Sequence, residues 1–216
     1  ASDVYKRQVL FGSMFLAVLF SYEPSASFRF LLYHIAAALC VLVTVSAVRG
    51  TEDLKRLAAG GGVCVLVSSL YGVYQRIQGV EVNVSYVDLD ANAGMPGRVE
   101  SYFDNPNTFA EVLILLLPLV LALILCSKRP ISRLAACGTF AVGLIALGMT
   151  YSRASWVGGA CAMVVLVFLW KPKLIPAFAV LCVAAIPFLP DTIWNRILTI
   201  FGPADTTTSS RFPLYA

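Results

Sequence analysis

The stretch GRVESYFDNPNTFAEVLILLLPL, residues 97–119, changes from polar to almost continuously apolar within about ten residues. Asn105-Pro106 suits a helix start, because an Asn side chain caps free amide groups and Pro fits the first helical position. Thr108 and Glu111 offer a competing start with the spacing of a capping box. Either start predicts an apolar helix whose amino end lies beside a polar segment containing Arg98.

The composition of the whole chain is that of an integral membrane protein. Its mean hydropathy is +0.81, with 59% hydrophobic and 13% charged residues, whereas a soluble domain has roughly a quarter of its residues charged. Helices of about twenty apolar residues cross a hydrocarbon core of roughly 30 Å and satisfy their own backbone polar groups. We therefore predict an all-α, polytopic membrane protein.

Long apolar segments divide the chain. Six are clear, and a shorter one at residues 9–22 brings the expected number of transmembrane helices in this chain to about seven. The clear segments are residues 30–48, 57–75, 108–126, 134–151, 154–170 and 174–189. The predicted organisation is an amino-terminal group of helices (9–75), an extracytoplasmic loop (76–107), a transmembrane core (108–190) and the start of a second extracytoplasmic loop (191–216).

Both ends of the sequence suggest an internal fragment of a longer protein. Residues 1–8, ASDVYKRQ, have the character of non-native sequence and carry no initiator Met. The last residues, SSRFPLYA, stop without a terminating feature. We expect a longer native chain.

The basic residues are unevenly distributed between the predicted loops. With the amino terminus in the cytoplasm, ten of the sixteen basic residues, including every lysine, lie on the cytoplasmic side. Every basic residue on the other side is an arginine, and nine of the twelve acidic residues accumulate there as well. The outer face is therefore predicted to carry the side chains capable of chemistry.

Arginines at the outer ends of membrane helices have two interpretations. A guanidinium is a planar fork of donors that binds phosphate oxygens in a bidentate manner, so such arginines suit a pyrophosphate site. They also extend to the membrane interface or pair with nearby acids, with no ligand involved. The sequence leaves both interpretations open.

A second motif, MTYSRASWVGGA at residues 149–160, places Arg153 in a very short outer connection between two apolar segments. An unpaired charge held near membrane depth is costly, so Arg153 is expected to have an anionic partner. Ala154, Gly158 and Ala162 follow at four-residue spacing, which predicts close packing against a neighbouring helix.

The cysteines and the single histidine carry little functional signal. The six cysteines lie in or at the edges of the apolar segments without a Cys-x-x-Cys motif, so we expect small core residues rather than disulfides or a zinc site. His34, within the segment 30–48, is expected to be hydrogen-bonded inside the protein, with a proton-relay role as the alternative.

Two motifs carry a family resemblance. The sequence R-x-x-S-Y-F-x-N-P-N-x-F-A from Arg98 leads into an apolar segment, and Y-S-R-A-S-W follows at residues 151–156. Together with the topology, they resemble the O-antigen ligase and polymerase superfamily of bacterial envelope glycan enzymes. The resemblance covers roughly residues 98–211, about half of the chain.

This resemblance implies a multi-pass glycosyltransferase in the cytoplasmic (inner) membrane, with its active face outside. Such an enzyme transfers a glycan from polyprenyl pyrophosphate to an acceptor hydroxyl on lipid A core or a growing polysaccharide, with inversion and without a metal or cofactor. It implies that Arg98 and Arg153 bind the pyrophosphate, with Arg211 as a third candidate. Asn105 and Asn107 support the helix start beside them. The family's proposed general base, a histidine in the large outer loop, is expected beyond Ala216, so the fragment alone is expected to be inactive.

The resemblance also names the expected partners, which are the lipid-linked glycan, its lipid or glycan acceptor and the bilayer, with no nucleic acid. The alternative function is a membrane transporter for a small anion such as bicarbonate, since prolines such as Pro118, Pro176 and Pro187 interrupt apolar segments as in solute pathways. A transporter is expected to place ionisable residues in the middle of its helices, where this sequence has almost none.

Overall fold

A computed structural model describes residues 2–81, 96–176 and 180 of the chain. Within these ranges it contains six α-helices and one short 3-10 helix, Pro172–Leu174, and no strand. The all-α prediction is therefore confirmed for the described residues. Arg211 and most of the predicted segment 174–189 lie outside them.

Five of the helices are long and apolar enough to cross a membrane, which indicates a multi-pass membrane protein. In α1 only residues 8–19 are apolar, so this helix is shorter than a typical span. Seven spans are not confirmed. The helices are α1 (Ser2–Leu19), α2 (Pro24–Ala47), α3 (Thr51–Gln78), α4 (Pro106–Cys126), α5 (Pro130–Met149) and α6 (Arg153–Trp170).

The chain forms two compact units, Ala1–Leu54 and Lys55–Ala216. In the first unit α1 contacts α2. Nδ1 of His34 in α2 donates a hydrogen bond of 2.7 Å to the carbonyl oxygen of Phe30. The expected hydrogen bond of His34 is thus made within its own helix, although the residue is exposed and not in a core.

The second unit is organised around α4. One face of this helix is buried at three- and four-residue spacing, and Phe109, Leu113 and Leu117 on it are completely inaccessible. Glycines of the surrounding helices contact this face: a Cβ on Gly62 of α3 would lie 3.8 Å from Val120. Small residues let helix backbones approach closely, which is how membrane helices commonly pack. The other glycines that face side chains of α4 are Gly61, Gly72, Gly143, Gly158 and Gly159.

One detail of the expected packing is confirmed only in part, and another is wrong. The buried face of α6 contains Ser155, Gly159 and Met163, one position beyond the predicted stripe, although Gly158 still borders Ile114. The five described cysteines are exposed on helix surfaces and not buried in a core: Cys40, Cys64, Cys126, Cys137 and Cys161. In a membrane protein the lipid-facing surface is as apolar as the interior, so hydropathy does not distinguish them.

The helices of the second unit alternate in direction, so four helix ends meet at one end of the unit. These are the carboxyl ends of α3 and α5 and the amino ends of α4 and α6. We call this the Arg98 end, because Arg98 contacts two of these helix ends. The basic residues of the α4–α5 connection and of Lys171–Lys173 lie at the opposite end.

Candidate functional site

The first turn of α4 forms one side of the candidate site. Asn105 is the N-cap, with φ −151° and ψ 122°, and its side chain accepts a hydrogen bond of 2.8 Å from the backbone N–H of Asn107. Pro106 occupies the first helical position. The start at Asn105-Pro106 is therefore confirmed over the competing start at Thr108.

Arg98 is a buried cation that joins two helix ends. Only 8% of the residue is exposed. Its Nε donates a hydrogen bond of 2.7 Å to the carbonyl oxygen of Thr150, and its Nη2 donates one of 2.6 Å to Oδ1 of Asn107. Hydrogen bonds from a charged donor contribute about 1.5–3 kcal/mol each. Arg98 therefore fixes the start of α4 against the end of α5.

Backbone contacts extend this connection to α5. The N–H of Val99 donates to the carbonyl oxygen of Met149 at 3.2 Å. Thr150 is completely buried, and its hydroxyl donates to the carbonyl oxygen of Leu147 at 2.7 Å. The carbonyl oxygen that Arg98 binds is thus held in place by the last turn of α5.

The same segment is attached to α3. The side-chain amide of Gln75 accepts from the N–H of Ser101 at 2.8 Å and donates to its carbonyl oxygen at 3.1 Å. The Ser101 hydroxyl donates to the carbonyl oxygen of Ser68 at 2.8 Å. Nη1 of Arg76 donates to the carbonyl oxygen of Gly97 at 3.3 Å. Residues 97–105, which we call the docking segment, therefore contact α3, α4 and α5.

Two consecutive aromatic residues of the docking segment stack on different helices. The ring of Tyr102 lies on Tyr71 of α3, with centroids 4.1 Å apart and an interplanar angle of 11°. The ring of Phe103 stacks on Phe109 of α4 at 5.7 Å. The quoted motif from Arg98 to Ala110 is thus a set of interlocking contacts.

Three non-glycine residues at the Arg98 end have left-handed backbone conformations. They are Ser101, Asp104 and Tyr151, with φ of 56°, 51° and 51°. Among the described residues, no other non-glycine residue has a positive φ. This conformation costs an L-residue roughly 1–2 kcal/mol, and such strain concentrates at functional sites. The surrounding hydrogen bonds offset it here.

Arg153 is the first residue of α6, after a connection of only three residues, Thr150–Ser152. It is partly exposed, in contrast to Arg98. Nε1 of Trp156, one turn later, donates to the carbonyl oxygen of Leu147 at 2.9 Å and attaches α6 to α5. The predicted tight connection is confirmed.

The structure brings Arg98, Asn105 and Asn107 into one hydrogen-bonded group. Arg153 is at the same end of the unit, three positions after Thr150, to which Arg98 is bonded. Arg211 lies outside the described residues. The amino ends of α4 and α6 bring partial positive charge to this end, and the carboxyl ends of α3 and α5 bring partial negative charge. An anion at this end would be held by the arginines.

Sequence reasoning missed several members of this group. Arg76 had been placed with the outer basic residues but given no role, although its position in the last turn of α3 was a usable signal. Gln75 binds the backbone of Ser101 with its side-chain amide, and Thr150 is bound through its carbonyl oxygen. In each of these bonds one partner is a backbone group, which residue type does not reveal.

Comparison of the chain with protein-family models, curated proteins and solved structures finds no match. Function is a property of a site and not of a fold. What the Arg98 end binds is therefore inferred from its charges, its hydrogen bonds and the helix ends that meet there.

Proposed function

We propose that this chain is part of a glycosyltransferase resembling O-antigen ligase, which transfers a glycan from polyprenyl pyrophosphate to an acceptor hydroxyl. The acceptor is lipid A core or a growing polysaccharide, and the reaction takes place on the outer face of the cytoplasmic membrane. The observation that carries the proposal is the buried Arg98, held at the amino end of α4 and beside the connection that leads to Arg153.

In this proposal Arg98 has one role, and Arg76 and Arg153 have another. A guanidinium has five N–H donors, and the bonds to Thr150 and Asn107 engage two donors of Arg98. Arg98 thus contributes a fixed positive charge, which stabilises an anion without reorganising. Arg76 and Arg153 are partly exposed, so they are the arginines that the pyrophosphate oxygens can reach.

The reaction itself breaks the bond between the anomeric carbon and the pyrophosphate oxygen. The acceptor oxygen attacks that carbon from the opposite face, so the configuration inverts, and the bonding electrons leave with the polyprenyl pyrophosphate. The hydroxyl proton goes to a general base, which the family resemblance puts beyond Ala216. The arginines stabilise the negative charge that develops on the leaving group.

The position of the charged residues favours transfer over transport. In α3 to α6, all described throughout, Asp, Glu, Lys and Arg occur only in the first two turns or the last turn of a helix. A solute or proton pathway uses ionisable residues deep in the membrane. A site for a lipid pyrophosphate needs its charges at the interface, where the headgroup lies.

The test is a binding titration of the purified chain in lipid nanodiscs with undecaprenyl pyrophosphate. Arg153→Gln and Arg76→Gln are each expected to weaken binding about tenfold, the effect of losing one charge-assisted contact. Arg133→Gln, at the opposite end, is the matched control and should bind as the wild type does. Failure of the wild-type chain to bind undecaprenyl pyrophosphate more tightly than dioleoyl phosphatidic acid would overturn the proposal.

A further inference from the structure

An exposed aromatic surface lies beside the arginines. Tyr102 is 60% exposed although one face of its ring is covered by Tyr71. Tyr74 is 53% exposed, and its ring centroid lies 6.1 Å from that of Tyr71. Together Tyr71, Tyr74 and Tyr102 form what we call the tyrosine platform.

The platform is held rigidly. Ser101, the residue before Tyr102, is bonded through its N–H, its carbonyl oxygen and its hydroxyl to α3. Left-handed residues stand on both sides of the aromatic pair, at Ser101 and Asp104. Backbone strain of this kind clusters at ligand-binding and active sites. A preorganised ring loses little conformational entropy when a ligand binds.

The chemistry of the platform identifies the class of ligand. An aromatic face is flat, apolar and weakly negative, and it complements the apolar C–H face of a pyranose ring. The phenol groups of Tyr71, Tyr74 and Tyr102 can hydrogen-bond the hydroxyl groups at the sugar's edge. Tyr102 is four positions after Arg98 in the docking segment, so a sugar on the platform is near an anion bound at the Arg98 end.

Tyrosines also form belts at membrane interfaces. Belt residues lie on the lipid-facing surfaces of helices, whereas Tyr102 lies in the docking segment and ahead of the first turn of α4. The stacked geometry, with an interplanar angle of 11°, leaves one ring face of Tyr102 outward. A ring with an open face beside a cationic site fits a ligand that is part sugar and part anion.

We propose that the tyrosine platform is a carbohydrate subsite that binds a sugar ring of the lipid-linked glycan by stacking on Tyr102. This inference rests on the proposed function for the anionic part of the ligand, but the subsite itself is testable without it. It assigns sugar recognition to Tyr102 and pyrophosphate recognition to the arginines.

The experiment measures binding of two kinds of probe to the chain in nanodiscs. One probe is undecaprenyl pyrophosphate, and the others are the same lipid carrying glucose, galactose, N-acetylglucosamine or N-acetylgalactosamine. At least one glycosylated lipid should bind more tightly than the sugar-free lipid. Tyr102→Ala should weaken that binding about fivefold or more and leave sugar-free lipid within about twofold. Tyr102→Phe keeps the ring face and loses only the phenol group, so it should bind the glycosylated lipid more tightly than Tyr102→Ala does.

Tyr22→Ala is the matched control, because Tyr22 is a fully exposed tyrosine outside the platform. Equal weakening of every probe by Tyr102→Ala would overturn the proposal, as would a wild-type chain that binds the lipid pyrophosphate but prefers no glycosylated form of it. If the wild type binds no lipid pyrophosphate, the proposed function fails separately. In that case the probes are the four free methyl glycosides. Binding by the wild type that is lost in Tyr102→Ala would still support the subsite, whereas failure of the wild type to bind any of them would overturn it.

Discussion

The guanidinium of Arg98 donates a hydrogen bond of 2.7 Å to the backbone carbonyl oxygen of Thr150, fifty-two residues later in the chain. This bond joins the two sequence motifs, because Thr150 immediately precedes the Y-S-R-A-S-W motif. Two short stretches that are distant in sequence therefore form one structural unit. The atom that accepts the hydrogen bond of Arg98 is a backbone oxygen, so the bond itself requires the backbone geometry of residue 150.

Arg98→Lys is expected to destabilise the chain while keeping its charge. A single ammonium cannot reproduce the planar fork that reaches both Thr150 and Asn107, so about 1–3 kcal/mol is lost. Thermal unfolding in detergent should show a midpoint several degrees lower. Arg133→Lys, on an exposed surface of α5, should leave the midpoint unchanged; an equal drop in both variants would contradict a special role for Arg98.

On the proposed function, Arg153→Lys is expected to abolish most glycan transfer. Lysine keeps the charge but loses bidentate binding to phosphate oxygens. Transfer is measured with a polyprenyl-pyrophosphate-linked glycan, and Arg129→Lys at the opposite end serves as the control. Wild-type transfer by Arg153→Lys would remove Arg153 from the site.

Gly143→Ala and Gly138→Ala form a matched pair in α5. A Cβ at Gly143 would lie 2.7 Å from Leu117 and 2.9 Å from Val65, both fully buried, whereas a Cβ at Gly138 meets nothing within 4 Å. Overpacking should therefore cost Gly143→Ala about 1–3 kcal/mol. Gly138→Ala should be neutral or stabilising by up to about 1 kcal/mol. Thermal unfolding of the two variants measures the difference; equal midpoints would contradict the packing around α4.

The α4–α5 connection is expected to lie in the cytoplasm, as the distribution of lysines predicts. In a cysteine-free background, Ser127→Cys should resist an impermeant thiol reagent in intact cells, whereas Gln78→Cys at the end of α3 should react. Both should react after permeabilisation. The reverse pattern would invert the orientation and place the Arg98 end inside.

Apolar length and capping chemistry were sufficient to predict α2 to α6 and the start of α4. These signals are local, since a run of apolar residues and an Asn-Pro pair act within one turn or one helix. The buried face of each helix was harder to predict than its position in the sequence. Lipid and core are both apolar, so the stripe at Ala154, Gly158 and Ala162 was placed one position from the buried face, and the cysteines were placed inside.

The arginines were found from sequence because charge is conspicuous in an apolar chain. The contacts that hold Arg98 could not be predicted from sequence, because its partners are a backbone oxygen and the side chain of Asn107. Arg98 and Asn107 are nine positions apart, a separation that is not typical of one face of a helix or a strand. The tyrosine platform was missed for the same reason. Tyr71 and Tyr102 stack only because the chain folds back after α3, and nothing local connects the two positions.

The hydrogen bonds described above that join different helices all lie at the Arg98 end, while the shafts of the helices meet mainly through glycine and aliphatic contacts. Hydrogen bonding between helices is therefore concentrated at one end of the second unit. In native-state hydrogen exchange, the amides of Val99, Ser101 and Thr150 should be among the last to exchange, and amides near Ser127 among the first. The Arg98 end would then be the part of this unit that opens last.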